Sequence, residues 1–544
     1  TTQTDTATTT QTATTTTTAT VTPTTPVVEG PYGTLRAAVV DLHKEALDPV
    51  KGDISNRMYI EHMYDDLVGM DSNGNFDPDY GLAEDWEMSP DGKTWTFYLR
   101  EGVKFHNGAE LTSEDVKFCI ERNISDESIS TGGRSLKKLS NLQVATPDEY
   151  TVVITLDEPY GLLHWLLTPY EGDTFFYPKA YFEEVGAEGF VENPIGTGPW
   201  KFVERKLGSY ILYEANEDYW GTVPEFKYLR LMLIPEDATR AAMLFAGEAD
   251  IVEIPKEFAV QAEASGFELT RLEQSNTVLV AFFQTWNPDF VFSNKKVRMA
   301  FNLAVDKEAI IQNILLGFGT RGVSNVFTPV ADGWIPDLHI PQNYDPERAK
   351  ALLVEGLEEF GWDADETLEI PLWSFVMSGG PEVPAINLAL ASYWEAMGVD
   401  TDYDVKINVT PIEYTSFRPK WRYWPQQFEV PGEIATWNNS VQLSAVSRSR
   451  TSYVHYDEGG MIARVTAEHR DQVYELYKAA AEEMDEAARI EILKELNRLN
   501  VGDWVEMVIA HHDSVYAMGR EVGSWEPMLS NIYTKRFESA THAK

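Results

Sequence analysis

Apolar and polar residues alternate in the stretch that follows residue 93, and this pattern predicts a strand. Trp95, Phe97 and Leu99 fall on one face, with threonine and tyrosine between them. Such alternation is typical of a strand that buries one side. The preceding residues, 89–92, read Ser-Pro-Asp-Gly and predict a tight turn. A half-buried strand entered from a turn is therefore expected here.

A helix is predicted shortly after this strand. Thr112 is followed three residues later by Asp115, a spacing that resembles the capping box at a helix start. The helix then carries Val116, Cys119 and Ile120 toward the interior. Cys119 is the single cysteine of the chain, so no intrachain disulfide is possible. Its position predicts a buried structural thiol rather than a nucleophile.

The rest of the globular chain alternates short strands with helices and shows no internal repeat. Asp345 and Pro346 provide an N-cap and a first helical position, and a broad apolar stripe over 470–499 predicts one long amphipathic helix or two. The predicted elements are strands at 35–40, 150–156 and 227–234, and helices over 346–353, 382–397 and 470–499. Together they indicate a mixed α/β protein.

The first 26 residues are about two thirds threonine, a composition that cannot bury enough apolar surface to fold. We expect residues 1–30 to form a disordered tether whose hydroxyls could carry O-glycans. Because the chain begins with threonine, we expect a processed protein whose signal peptide has been removed. The prediction is an extracytoplasmic protein at a cell surface or in a periplasm, anchored to its membrane through the tether. An ordinary disordered tail is the alternative.

Size and charge limit the classes of function. A chain of 544 residues is too large for one core and predicts two or three domains. The formal net charge of −42 argues against nucleic-acid and anionic-lipid partners, which bind mainly through lysine and arginine. No apolar run approaches the roughly 18 residues that a membrane span needs. The acidic surface is interpreted as serving solubility.

The sequence contains only weak signals for a metal site or a nucleotide site. His511 and His512 are adjacent, so on a strand they would point to opposite faces and could not easily share an ion. Gly196 and Gly198 precede a proline and a strand-like segment, whereas a phosphate loop opens a helix. Backbone geometry explains these glycines better. We therefore expect neither a metal nor a cofactor.

Four motifs follow one another along the chain. The first runs from Tyr64 to Asn123 and contains the strand, turns and capped helix described above. NPIGTGPWKFVER begins at Asn193, ANEDYWGTVPEF and RAAMLFAGEADIV follow between 215 and 252, and NKKVRMAFNLAVDKEAI begins at Asn294. This order resembles the extracellular solute-binding proteins of family 5, the peptide, nickel and oligosaccharide receptors that feed ABC importers.

The resemblance implies an α/β fold, namely a periplasmic-binding-protein type II-like two-lobed clamp with an extra inserted domain (cluster C-like). Two crossings of the chain, near Thr285 and Asp513, would form the hinge, and closure would bury a solute between the lobes. The implied domains are lobe I (31–61, 194–284 and 514–544), the inserted domain (62–193) and lobe II (285–513).

Ligand contacts are implied at two places. In the family, an early Asp-Pro turn lies at the rim of the ligand cleft, which indicates Leu47 and Asp48 here. Peptide receptors of the family also use an acidic residue in a Trp-x-x-Asp-Tyr-like segment to receive the peptide's ammonium group. The corresponding segment, 420–440, has no Asp, so Glu429 or Glu433 would take that role. The candidate residues of this segment are Trp421, Tyr423, Trp424, Glu429, Glu433, Trp437 and Asn438.

The implied function is that of a receptor, not an enzyme, which captures oligopeptides and delivers them to the permease subunits of an ABC importer. A monomer is expected. Oligosaccharides are the alternative ligands, because the aromatic residues of 421–437 could stack on sugar rings, although they could equally pack in a core. A nickel chelate or an opine ranks behind both. A secreted glycoside hydrolase, with paired carboxylates about 5 to 9.5 Å apart, is the alternative from another class.

Overall fold

A mixed sheet of eleven strands runs through the centre of the molecule, accompanied by a separate four-stranded sheet. The structure is a computed structural model. It describes residues 30–42, 45–52, 56–170, 172–285, 287–323, 332–338, 341, 343–376, 380–413, 416–417, 434–440, 466, 468–528 and 535–544, with the backbone alone for 273–277 and 435–440.

The strands range from two to fifteen residues in length. They are β1 (Tyr32–Val39), β2 (Ala83–Met88), β3 (Thr94–Leu99), β4 (Gln143–Asp148), β5 (Thr151–Thr155), β6 (Trp200–Lys206), β7 (Tyr210–Ala215), β8 (Phe226–Leu233), β9 (Ile251–Glu253), β10 (Glu268–Phe282), β11 (Gly319–Thr320), β12 (Leu368–Ser374), β13 (Val405–Pro411), β14 (Ile434–Ser440), β15 (Glu506–Met518), β16 (Val522–Ser524) and β17 (Thr541–His542).

Several helices begin at a side chain that caps them. Asp345 accepts a hydrogen bond from the backbone N–H of Arg348 at 2.9 Å, and this helix ends at Gly361 with φ of 82°, as left-handed caps do. The helices are α1 (Arg57–Ile60), α2 (Ser113–Asn123), α3 (Thr131–Leu136), α4 (Lys179–Glu192), α5 (Asp237–Ala246), α6 (Lys256–Ala264), α7 (Lys295–Leu303), α8 (Lys307–Asn313), α9 (Pro346–Phe360), α10 (Val383–Glu395), α11 (Arg470–Glu482) and α12 (Glu486–Gly502).

The locally predicted elements are confirmed. Trp95, Phe97 and Leu99 of β3 are buried, with half-buried residues between them. At the start of α2, the backbone N–H of Thr112 donates to Asp115 Oδ2 at 3.0 Å, and Cys119 is buried. The stripe over 470–499 forms two helices, α11 and α12, rather than one.

The large sheet has the strand order β13-β12-β14-β10-β15-β9-β1-β8-β7-β6, and β11 pairs with β15 beside this path. β15 is central, since it pairs antiparallel with β10 on one side and with β9 on the other. β10 and β15 are long strands that extend together from one half of the sheet into the other. Two crossings of the chain therefore join the halves.

Three of the hydrophobic cores formed by the described residues pack against this sheet. The first core contains Leu35 and Val39 of β1, and the third contains Ala38 of the same strand, so they lie on opposite faces. The second core lies at the other half of the sheet and is built on α7, α9, α10 and β12. Between them these cores bury the apolar faces of all the major helices and fix the α/β architecture. The exact domain boundaries given above stay a prediction.

The four-stranded sheet has the order β2-β3-β5-β4 and packs its buried face into the first core. The hairpin of α11 and α12 also packs there, through Val473, Tyr477, Ala480, Leu493 and Leu496. Within the described ranges, no helix is both long and apolar enough to cross a membrane.

Candidate functional site

The residues of strand β15 pack in different hydrophobic cores at its two ends. Met507, Ile509 and Ala510 belong to the second core, whereas Tyr516 and Met518 belong to the first. Between them lie four polar residues, 511–514, which read His-His-Asp-Ser and are all buried. We call residues 511–514 the polar strip. Because buried polar groups in a central strand are costly unless they are satisfied, the partners of this strip decide what it can do.

The two halves of the sheet meet at the polar strip. β10 shows the same division, since its residue Leu272 lies in the first core and Leu279 lies in the second. The pairing of β10 with β15 shifts between Leu272 and Thr277, which is opposite the strip. The strip also contains Asp513, where the family resemblance implies one of the two crossings.

One face of the strip carries a buried charge cluster. The ammonium of Lys256, at the start of α6, donates to Glu382 Oε2 at 3.0 Å and to His512 Nδ1 at 3.2 Å. Glu382 stands just before α10. Since an ammonium has no acceptor, Nδ1 of His512 must accept, and the ring proton of the neutral imidazole lies on Nε2.

The environment keeps His512 uncharged. Burial, and then the positive charge of Lys256, hold the pKa of His512 well below its ordinary value. The cluster therefore consists of one cation, one anion and a neutral imidazole that positions the cation.

His511 contacts a different element from His512. Its ring lies against Gly322, where a Cβ would overlap it. The adjacent histidines thus use opposite faces of the strand, as the sequence predicts. Among the residues that the structure describes, no group of three or more His, Cys, Asp or Glu side chains could hold a metal ion.

Leu47 and Asp48 are both buried. The carboxylate of Asp48 accepts two hydrogen bonds from Arg122 of α2, at 3.1 and 2.9 Å, and one from the backbone N–H of Val50 at 3.3 Å. Arg122 in turn stacks 4.0 Å from the ring centre of Phe182. The structure therefore shows Asp48 joining the first segment of the chain to α2. A role of Leu47 or Asp48 in ligand binding stays a prediction.

The other predicted residues lie close to, or outside, the described chain. Trp421, Tyr423, Trp424, Glu429 and Glu433 are outside the described residues. The backbone of Trp437 and Asn438 lies in β14, opposite Val280 and Leu279 of β10.

The register places β14 near the polar strip. Val278 of β10 pairs with Asn439 on one side and with His511 on the other. Because neighbouring strands lie about 4.8 Å apart, the β14 backbone is about 10 Å from the strip. One end of the predicted 420–440 segment and the polar strip therefore belong to the same region between the two halves.

Sequence reasoning missed Lys256 and Glu382 and interpreted His512 only as a weak metal candidate. The available signal was the run His-His-Asp-Ser inside an otherwise apolar strand. No local signal identifies Lys256 or Glu382, since they are 126 residues apart in sequence.

Comparison with known proteins identifies relatives of this chain. The family model described as "Bacterial extracellular solute-binding proteins, family 5 Middle" matches residues 77–440. Heme-binding protein A of Haemophilus influenzae is 30% identical over 383 residues, which cover 66% of this chain and 66% of that protein. The dipeptide-binding protein of Escherichia coli is 30% identical, with 59% of this chain and 62% of that protein covered.

A third relative, the nickel-binding periplasmic protein of Escherichia coli, is 32% identical, with coverage of 56% of this chain and 57% of that protein. The matched region is less than two thirds of the length of each of these three relatives.

Solved structures share the fold. The oligopeptide-binding protein AppA of Bacillus subtilis, in complex with a nonapeptide, has a TM-score of 0.76 at 21% identity, and covers 95% of this chain and 100% of its own. DppA of Helicobacter pylori, in complex with the peptide STSA, has a TM-score of 0.75 at 20% identity, and covers 95% of this chain and 99% of its own. At these identities the likeness establishes the periplasmic-binding-protein type II architecture.

Proposed function

Because the chain belongs to the family 5 extracellular solute-binding proteins, we propose that it is the receptor of an ABC importer that captures oligopeptides between its two lobes. On this proposal it binds without catalysis and hands the peptide to the permease subunits.

The observation that carries the proposal is the arrangement around the polar strip. Two large cores are joined by β10 and β15, and the buried polar residues lie where the cores part. A molecule with this arrangement suits closure around a solute, with polar groups at the junction of the two halves.

Two arguments favour peptides over other solutes, one from similar proteins and one from the strands at the junction. The relatives include a dipeptide-binding protein, and the shared fold occurs in two structures that hold peptides. An extended peptide also fits a junction built from strands, because main-chain groups can bond to it as a further strand would.

With a peptide as the ligand, we propose a role for each predicted contact residue. Glu429 or Glu433 would pair with the ammonium group of the peptide, and Leu47 and Asp48 would lie at the rim of the cleft. Aromatic and amide side chains would line the rest of the site, namely Trp421, Tyr423, Trp424, Trp437 and Asn438.

The place of action follows from the same proposal. The receptor would work outside the cytoplasm, as a monomer held to its membrane through the threonine-rich tether. Residues 1–29 of that tether lie outside the described residues.

Native mass spectrometry of the protein purified from its own source tests the ligand class. We expect bound masses that differ by amino-acid residues after denaturation. A ladder of hexose or pentose masses would replace the peptide with an oligosaccharide. A labelled peptide should also be held stoichiometrically and returned unchanged, whereas shorter products would indicate a hydrolase.

A further inference from the structure

The ion pair between Lys256 and Glu382 joins the two halves of the molecule. Lys256 begins α6, whose residues Ala259 and Ala262 pack in the third core. Glu382 precedes α10, whose apolar residues pack in the second core. The 3.0 Å bond between them therefore connects elements that belong to different cores.

This ion pair is withdrawn from water. The side chains of Lys256 and Glu382 are 3% and 10% exposed, and His512 is 0% exposed. In addition, Glu382 Oε1 is buried and has no hydrogen-bond partner among the described residues. Desolvating two charges and leaving one oxygen unsatisfied is a poor way to stabilise a fold, because apolar residues of similar size do as well or better. The pair needs an explanation other than stability.

Other ion pairs among the described residues differ in one or both respects. The pairs Arg57–Asp66 and Arg122–Asp48 are also buried, but each joins elements of the first core. Lys296 bonds to Glu359 at 2.6 Å, and these residues belong to α7 and α9, which share the second core. Their side chains are largely exposed, so water replaces the contact easily when it breaks. The Lys256–Glu382 pair is buried and crosses between cores, and separating it requires water to enter the junction.

We propose that Lys256 and Glu382 form a charge lock that holds the two lobes closed, with His512 positioning the ammonium. Opening would separate the two charges into water. Closing would reunite them beside the polar strip, whichever solute has been trapped. The lock therefore slows release of all ligands to a similar extent. This inference rests on the proposed function for its purpose, since closure is what captures the solute.

The distance between α6 and α10 reports the state of the lock. Val260 on α6 and Leu388 on α10 are 48% and 64% exposed, so cysteines at these positions accept spin labels without disturbing a core. The native Cys119 does not interfere, because burial raises the pKa of its thiol and removes it from the solvent. Double electron–electron resonance on the full chain, purified free of ligand, then measures the separation.

Three charge variants test the lock on this labelled background. Lys256→Glu and Glu382→Lys each place like charges in contact, and we expect both to shift the distance distribution to longer values. The double swap, Lys256→Glu with Glu382→Lys, restores opposite charges and should return the distribution toward that of the parent. Lys296→Glu and Glu359→Lys, in the exposed pair within one lobe, are matched controls that should leave the distribution unchanged.

Two outcomes would overturn the lock. One is an unchanged distance in both single variants. The other is a double swap that stays as open as the single variants, which would mean that the substitutions act through packing. If a charge reversal prevents folding, as seen by circular dichroism, Lys256→Gln and Glu382→Gln remove the charges at similar size, and the same lengthening is expected. Since no ligand is present, a failure of peptide binding leaves this result intact, and the reverse also holds.

Discussion

At the scale of single residues, the glycines of the GTGP sequence are explained by close contact with another segment. The backbone N–H of Gly198 donates to the carbonyl of Met63 at 3.0 Å. A Cβ on Gly198 would lie 2.6 Å from the backbone nitrogen of Tyr64, and a Cβ on Gly196 would overlap the Met63 carbonyl. The absence of a side chain at both positions lets the two backbone segments approach each other.

Replacing Gly198 with alanine should therefore destabilise the fold. The obstructing atoms belong to the backbone and cannot rotate away, so we expect a loss of about 3 kcal/mol in the free energy of unfolding. Urea titration measures it. Gly502→Ala is the control, because a Cβ there meets nothing within 4 Å, and it should leave stability nearly unchanged. Equal effects of the two substitutions would contradict this explanation.

His106 holds the same two glycines through both of its ring nitrogens. The backbone N–H of Gly196 donates to Nδ1 at 3.3 Å, so Nε2 carries the proton and donates to the Gly198 carbonyl at 3.0 Å. The bond at Nδ1 requires the neutral ring, because both nitrogens of a protonated imidazole are donors and neither can accept. Burial lowers the pKa of His106 from 6.5 to about 4.

This arrangement predicts a loss of stability in acid. Below pH 6.5, His106 binds a proton in the unfolded state, whereas in the folded state it stays neutral until the pH reaches about 4. The contribution of His106 to the free energy of unfolding is therefore fully present above pH 6.5. It declines as the pH falls toward 4, by about 3 kcal/mol in total. We expect His106→Gln, whose amide can both donate and accept, to flatten the dependence of unfolding free energy on pH. A variant with the slope of the parent would contradict the assignment.

At the scale of elements, the hairpin of α11 and α12 is attached at both ends. Near its base, His469 Nδ1 lies 2.6 Å from Asp503 Oδ2, and Arg298 of α7 donates to the Asp503 carbonyl at 2.8 Å. At its tip, Met484 lies over Gly92, and Ala481 accepts a bond from the backbone N–H of Gly161 at 3.3 Å. The hairpin thus links α7 to the four-stranded sheet.

Shortening Met484 should weaken the tip of this hairpin. Met484→Ala removes the thioether that fills the space above Gly92 and Gly161. We expect a loss of about 2 kcal/mol, at the lower end for a methionine truncation because the residue is half-buried. Thermal unfolding followed by circular dichroism measures it. Gln472→Ala, on the exposed face of α11, should have no measurable effect, and a similar loss there would contradict the packing explanation.

The elements show what sequence can predict and what it cannot. The start of α2 follows from Thr112 and Asp115, because capping depends on residues three apart. The burial of alternate residues in β3 follows from the same kind of local pattern. In contrast, Asp48 meets Arg122 across 74 residues, and Lys256 meets Glu382 across 126. Such pairs depend on how whole elements pack, and no local pattern records that.

The candidate site was predicted in part for the same reason. The resemblance to a family implies where ligand segments lie, and that placement stays a prediction. The β14 backbone is separated from the polar strip by β10. The resemblance does not indicate which charges meet when distant elements pack together. His512 illustrates this point, since its neighbour in sequence is His511 but its partner in space is Lys256.

At the scale of the whole molecule, the charge of −42 shapes stability. With 86 acidic and 44 basic residues, the acidic side chains outnumber the basic ones by 42, and folding concentrates this excess on one surface. The mutual repulsion of these charges opposes the compact state. Salt screens this repulsion, because the Debye length falls from about 10 Å at 0.1 M to about 3 Å at 1 M.

The melting temperature should therefore rise with NaCl between about 0.1 M and 1 M. Exposed ion pairs weaken over the same range, but each contributes only about 0 to 1 kcal/mol, so screening of the excess negative charge should dominate. Differential scanning calorimetry at constant pH measures the trend, and KCl should reproduce it if the effect is ionic strength. A melting temperature that falls with salt would show that attractive pairs outweigh the excess charge.

The central position of β15 has a consequence for how the polypeptide is made. The strand that fills the gap between β9 and β10 is synthesised more than 200 residues after both of them. A nascent chain on the ribosome therefore carries two unpaired strand edges until Glu506–Met518 emerges. Contacts this distant along the chain form slowly. We conclude that the large sheet is completed only after Glu506–Met518 has emerged, and that the negative charge of the chain opposes aggregation of the unfinished sheet until then.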